Sequence, residues 1–372
     1  MDPLLDEDQQ SYQRSVRKLL QTQWTDERLR GSLDGPGDEE RALWTRLAGE
    51  LGVAGLNVPE QHGGAGSAPV EALLVAEEMG RVLYGGPYLG TVVLAANAIV
   101  LSGDEAVAEQ LLPGIAAGET TATVALIESG RDRHPEPPPE ATPQGDGWVL
   151  TGTARRVVDG SSADRLLVEA STSAGRSLFL LDDEVGVRRE ASEPLDPTRR
   201  MATIVLDGAT ATLVGRDGQA PEITRSLRPI VSLALAAEAV GGAARCVHDT
   251  VEYAKVREQF GRPIGSFQAV KHRCAEMQVR LEGATAGIRH AGQVLVDGSE
   301  DVEVLASVLK VFSTRSYFET AADTIQLHGG IGFTWEHMAH LHFKRAKSLE
   351  LLGGSHSEHK AAIADVVLAG RR

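Results

Sequence analysis

The feature that most limits what this chain can fold into is a change of texture in its middle third. Up to about residue 120, apolar residues recur at helical spacing: Leu19, Leu20 and Trp24, then Leu43, Leu47 and Leu51, then an amphipathic stretch over 70–83. From about 121 to 220 strand-like runs replace it, at 121–126, 148–150, 165–168, 177–181 and 202–206. Beyond 221 long helical patterns return, over 230–253, 267–296, 302–327, 343–352 and 359–368. At 372 residues the chain is longer than one hydrophobic core usually serves. The order helical, β, helical therefore predicts an α+β protein with domains at 1–120, 121–220 and 221–372.

Local breakers sharpen this division. Gly63, Gly64 and Gly66 predict a loop, and Pro113-Gly114 predicts another interruption. Between residues 130 and 147, Pro135, Pro137, Pro138, Pro139 and Pro143 rule out helix or central strand, so an extended loop is expected.

Several function classes drop out on composition. A net charge of -15 repels phosphate backbones, which excludes nucleic acid as a partner. The two cysteines, Cys246 and Cys274, are not in a Cys-x-x-Cys pair, so no disulfide framework or thiolate metal site is expected. Glu336, His337, His340 and His342 lack metal-ligand spacing and are expected to form a surface or interface patch, with no metal. No apolar run reaches membrane-spanning length, since the best candidate, 91–101, is too short and contains Asn97, so no membrane insertion is expected. The N-terminus is acidic and polar rather than signal-like, and a cytoplasmic protein is expected. Arg199-Arg200 after Pro197 is expected in a solvated turn.

Two segments of the last third carry the chemistry. The first runs Tyr253-Ala-Lys-Val-Arg257-Glu-Gln259-Phe260-Gly261-Arg-Pro263-Ile264-Gly-Ser-Phe267-Gln268. The second runs Gln326-Leu-His-Gly329-Gly330-Ile-Gly332. A guanidinium offers a fixed fork to a pyrophosphate. Glycines let a backbone approach a ligand, and glutamine amides suit adenine or ribose. No strand precedes Gly329-x-x-Gly332, so it is not a Rossmann fingerprint.

Together the two segments resemble the acyl-CoA dehydrogenase family, whose last domain carries Arg-x-x-Phe-Gly-x-x-Ile-x-x-x-Gln and Gln-x-x-Gly-Gly-x-Gly. Pro59-Glu60-Gln-His-Gly63-Gly64, Glu77-Glu78-Met-Gly80-Arg81 and the segment 111–119 look like further markers in the same order. The resemblance implies an N-terminal helical domain, a barrel-like β domain and a four-helix bundle that oligomerises. It implies FAD as cofactor, an acyl-CoA or acyl-carrier substrate, and an electron-transfer flavoprotein as electron acceptor. Arg257, Gln259, Phe260, Phe267, Gln268, Gln326, Gly329 and Gly330 would hold the adenine and pyrophosphate of a neighbouring subunit's FAD. Ser355 would replace the family's threonine near the pyrophosphate.

The in-subunit half of the site departs from the family. Its flavin-ring threonine after the first β strand is Ile127 here. In its Trp-x-Thr element the aromatic is Arg156 and the threonine Val158. Its two positions for the glutamate that removes the Cα proton fall on Val231 and Gly353, neither of which accepts a proton. Glu238, two helical turns beyond Val231, is the candidate substitute base or else an interfacial carboxylate; His356 and Glu350 are weaker candidates. The segments 344–347 and 351–354, Leu195-Asp-Pro-Thr198-Arg199 and Glu238-x-Val-Gly-Gly resemble a bacterial branch with heteromeric enzymes acting on steroid side-chain CoA esters. That implies a baseless subunit of a heterotetramer with a homologous partner. A self-sufficient homo-oligomer and a non-catalytic scaffold are the alternatives.

Overall fold

A computed structural model describes residues 4–33, 35, 37–66, 68–126, 137–145, 147–299 and 301–369. Eleven α-helices lie among them: α1 Glu7–Gln23, α2 Asp26–Gly31, α3 Asp38–Leu51, α4 Pro69–Arg81, α5 Asn97–Ser102, α6 Glu105–Ala116, α7 Ala220–Val256, α8 Gln268–Asp297, α9 Val302–His328, α10 Ala339–Leu351 and α11 His356–Ala369. The strands are β1 Ala122–Ala125, β2 Glu140–Gln144, β3 Gly147–Val158, β4 Arg165–Thr172, β5 Gly175–Leu181, β6 Val187–Ala191 and β7 Met201–Val214, with a small pair β8 Glu258–Gln259 and β9 Arg262–Pro263. The described chain divides into two compact units, one of residues 1–31, 69–84 and 232–372, the other of residues 32–68 and 85–231.

In the β-containing unit the sheet runs β1-β4-β2-β3-β7-β5, and β5 returns to pair with β4. That closes β4, β2, β3, β7 and β5 into a barrel, joined at its weakest seam by the single bridge of Glu140 to Ser171. Closure removes the open edges that a small sheet otherwise exposes. Its core holds Leu150, Leu166, Val168, Phe179, Ile204 and Leu206.

Three expectations change here. The proline-rich stretch contains strand β2, in which Pro143 faces Trp148. Beyond Glu140, β2 is paired only with β3, so Pro143 occupies the free side of an edge where a missing N–H does no harm. Pro113 lies inside α6 rather than ending it; the helix continues for its last turn with the Ala117 N–H donating to the Pro113 carbonyl. Arg199-Arg200 is not a solvated turn. Arg199 is buried, and Arg200 donates to Glu40 and to the Gly85 carbonyl.

In the helical unit α4, α9 and α10 each meet the C-terminal part of α7, and α8 packs on α4 and α9. The two Gly-containing segments noted in the sequence mark one crossing. A Cβ at Gly80 would lie 2.0 Å from the Glu238 carbonyl, and one at Gly241 would lie 1.7 Å from that of Glu77. Only glycine lets α4 and α7 approach so closely. Glu77 and Glu78 are buried beside this crossing. Arg289 pairs with Glu77 at 2.7 Å, Arg17 with Glu78 at 2.6 Å, and Gln13 donates to both carboxylates. The expectation that no apolar stretch reaches membrane-spanning length also needs correction. Among the described residues, α7 is long and apolar enough by length and composition, but 78% of its apolar window is buried inside the protein. That burial is what a core helix shows.

Candidate functional site

The end of α7 and the end of α9 meet through two rings. Tyr253 stacks on His328 with centroids 4.4 Å apart, and its hydroxyl donates to the His328 carbonyl at 3.4 Å. One turn beyond Tyr253, the Arg257 N–H donates to the Tyr253 carbonyl, so Arg257 leaves α7 beside this contact. Two residues before His328 stands Gln326, and just after it the Gly329-Gly330 turn. The ring contact therefore gathers both sequence motifs at one end of the bundle.

From Arg257 the chain makes the β8–β9 hairpin, whose two-residue connection is Phe260-Gly261. Both residues have positive φ, 55° and 77°. That conformation suits the twist of a tight hairpin but is costly for an aromatic residue. Phe260 is nonetheless 93% exposed at the tip. The hairpin closes with the Ile264 N–H donating to the Arg257 carbonyl at 2.7 Å. Behind it Arg262 lies over the Phe267 ring at 4.2 Å, and Phe260 meets that ring edge-on at 6.1 Å. Gln268 then opens α8.

The polar groups of this cluster point outward. Arg257, Gln268 and Gln326 are exposed, and their side chains make no hydrogen bond to a described residue. Gln259 is exposed too, although its amide donates to the neighbouring Glu258 carbonyl at 2.7 Å. Gly329 has φ 62° and ψ -138°, which excludes a side chain for backbone reasons. Gly330 differs. A Cβ there would meet nothing within 4 Å and its φ is not positive, so no packing inside this chain calls for glycine. Gly332, by contrast, packs against Ile325. Phe333 and Trp335, 84% and 73% exposed, extend the surface. A fork-shaped cation, two amides, an aromatic face and an open glycine turn form the donor set that an adenosine pyrophosphate requires. This half fits an FAD.

Ser355 does not join the cluster. It begins α11, where its N–H and hydroxyl both donate to the Glu358 carboxylate and its oxygen accepts from the Glu358 N–H. That is a capping box, whose Ser-x-x-Glu signature stands in the sequence at 355–358. The neighbouring His356 bonds Thr314 of α9, about 18 Å along that helix from Gln326.

The flavin-ring half does not fit. In β3 the register slips between Ala154 and Val157, and the bulge leaves Arg155 and Arg156 out of the ladder, both exposed, Arg156 with φ 55°. Val158, in the threonine position, is buried and offers no hydroxyl. Its carbonyl accepts from Thr123 at 2.7 Å. Ile127 lies outside the described residues. Next along, Asp159 is fully buried, accepts from the Gly90 N–H, and faces Arg199, Arg200 and Glu40. Burial outweighs the two arginines and raises its carboxyl to about 7.

None of the base candidates is an available carboxylate. Glu238 is 7% exposed and bound by Arg345, which is wholly buried. α10 thus covers that face of α7 with a cation. Val231 is buried and apolar. Gly353 and Gly354, with φ 72° and 104°, make the turn after α10. Glu350 pairs with Lys347 at 2.7 Å. Beneath this turn Lys310, wholly buried, donates to the Leu349 carbonyl at 2.7 Å, and burial lowers its ammonium to about 8. Sequence reading did not single out Lys310, and nothing in the helical pattern marks it.

The His-rich segment is partly interior. His342 is buried and hydrogen-bonded to the Tyr317 hydroxyl at 2.7 Å, while the His337 ring meets that of His328 at a tilt, centroids 4.4 Å apart. Among the described residues no group of three or more His, Cys, Asp or Glu is placed to hold a metal ion.

Comparison with known proteins supplies a context. Residues 6–119 match the acyl-CoA dehydrogenase N-terminal domain and residues 232–368 the acyl-CoA dehydrogenase C-terminal domain. The chain is similar to the acyl-CoA dehydrogenase IpdE2 of Mycolicibacterium smegmatis, 30% identical over 363 residues, 97% of this chain and 100% of that one. Among solved structures it is similar to a variant of the Tcur3481-Tcur3483 steroid ACAD, 31% identical with TM-score 0.84, covering 98% of this chain and 99% of that one. It is also similar to the ChsE4-ChsE5 complex from Mycobacterium tuberculosis, 28% identical with TM-score 0.87, covering 99% of each chain.

Proposed function

The chain belongs to the acyl-CoA dehydrogenase family, and on that premise we propose that it is the subunit that completes a partner's FAD site rather than one that carries a full site itself. The observation that carries this reading is the split between the two halves. The adenosine half is present and turned outward, with Arg257, Gln268, Gln326 and Gly330 uncommitted among the described residues. The ring half has Arg156 and Val158 where an aromatic and a hydroxyl are needed, and Val231 and Gly353 stand where a carboxylate is needed.

The reaction is α,β-desaturation of an acyl-CoA thioester, in which FAD, when bound, accepts hydride from Cβ. The role of this chain is binding. Arg257 neutralises pyrophosphate charge with its fork, Gln268 and Gln326 offer amides to the adenosine, and Phe260 gives it an aromatic face. Removal of the Cα proton falls to a carboxylate of the homologous partner. The steroid ACAD and the ChsE4-ChsE5 complex support a heteromeric assembly and a bulky acyl group. Reduced cofactor would pass its electrons to an electron-transfer flavoprotein.

Co-expression tests this reading. A homologous subunit that has the Trp-x-Thr element and a glutamate at either base position should give acyl-CoA desaturation only together with this chain. Equal turnover by this chain alone would reject it.

A further inference from the structure

His328 and His337 themselves take no part in any contact assigned above to the cofactor, yet both rings are held by several named partners. His328 lies between two rings, Tyr253 at 4.4 Å and His337 at 4.4 Å. Its Nδ1 faces the Thr324 carbonyl at 2.7 Å, and since a carbonyl only accepts, Nδ1 carries the proton. His337 is fixed the opposite way. Its Nδ1 accepts the Ala339 N–H at 3.1 Å at the start of α10. From outside, the Arg30 guanidinium donates to the Trp335 and Glu336 carbonyls, both at 2.6 Å. The segment between Gly329 and α10 is thus held from within by three rings in contact, Tyr253 stacked on His328 and His337 tilted against it, and from without by one arginine. His328 itself is buried, so it does not reach a ligand on the exposed side of the turn.

We propose that the Tyr253–His328–His337 ring cluster sets the conformation of the Gly329-Gly330 turn and its distance from Arg257, making His328 and Tyr253 positioning residues for the phosphate end of the cofactor. The inference rests on the cofactor reading given above. Its physical basis is that Gly329 occupies a backbone region with no preference of its own for one geometry, so the turn depends on what it is packed against. Tyr253 is four residues before Arg257, so the same ring fixes both sides of the cradle. Arg30 controls the exit of the turn and leaves its entry to the ring cluster.

The test uses His328→Leu and His328→Phe in two measurements. In the chain by itself, amide exchange over 329–334 should quicken in His328→Leu, while His328→Phe, which keeps a ring on Tyr253, stays close to the parent. In the chain assembled with its partner subunit, FAD titration should show a dissociation constant on the order of tenfold weaker for His328→Leu, recovered most of the way by His328→Phe. Faster exchange with unchanged FAD affinity would overturn the proposal, as would equal affinity loss in both variants. Arg257→Ala is measured alongside. If it leaves FAD affinity unchanged, the cofactor reading fails by itself, whatever His328 does.

Discussion

Arg345 of α10, with no exposed surface, donates to the Glu238 carboxylate of α7. The bond ties a buried glutamate of α7 to a buried cation, and it gives Glu238 a structural role. A general base must meet the substrate proton within hydrogen-bond reach; this carboxylate meets a guanidinium instead.

Glu238→Gln should therefore act on stability. Breaking one side of a buried pair removes the charge opposite Arg345 and should cost about 3 kcal/mol in denaturant unfolding. Glu238→Gln combined with Arg345→Met should recover much of that loss. A variant that keeps parental stability but abolishes desaturation in the assembled enzyme would restore Glu238 as the base.

Two glycines separate internal from external demands. Gly241→Ala should disrupt the helical unit, because its Cβ would lie 1.7 Å from the Glu77 carbonyl. Gly330→Ala should fold with parental stability and weaken FAD binding, because no atom of the described residues lies within 4 Å of its Cβ. Circular dichroism with FAD titration separates the two effects.

Asp159 makes the β-containing unit sensitive to pH. Its carboxyl rises from 3.8 to about 7 on burial, so the folded chain binds a proton that the unfolded chain has released. A pKa raised by folding gives stability that is full below about 4 and lost as the pH climbs through about 7. Asp159→Asn keeps an acceptor for the Gly90 N–H and cannot ionise. Thermal unfolding from pH 4.5 to 8 should fall less steeply for this variant than for the parent. An unaltered slope would mean that Asp159 is already ionised across the range.

Much of this was legible in the sequence, and the failures share a cause. Helical periodicity located α4 and α7 to α11, and the paired motifs at 253–268 and 326–332 identified one exposed cluster. The sequence did not reveal β2, because proline propensity is overridden when a strand lies at an edge. It misplaced Arg199-Arg200, because charge alone does not disclose that Glu40 and Asp159 are buried and need cations. The Ser-x-x-Glu signature at 355–358 was legible as a helix start, and Ser355 caps α11 through Glu358. The Tyr253–His328 contact joins residues 75 apart, and no local pattern foretells it.

The central claim is that this chain holds half of a dinucleotide site. It is tested most directly by the ratio of bound flavin to protein, read from the visible spectrum of the purified chain before and after the homologous subunit is added. The account predicts a colourless chain by itself and bound FAD once the two are mixed. A stoichiometric flavin spectrum with acyl-CoA turnover from this chain alone would contradict it.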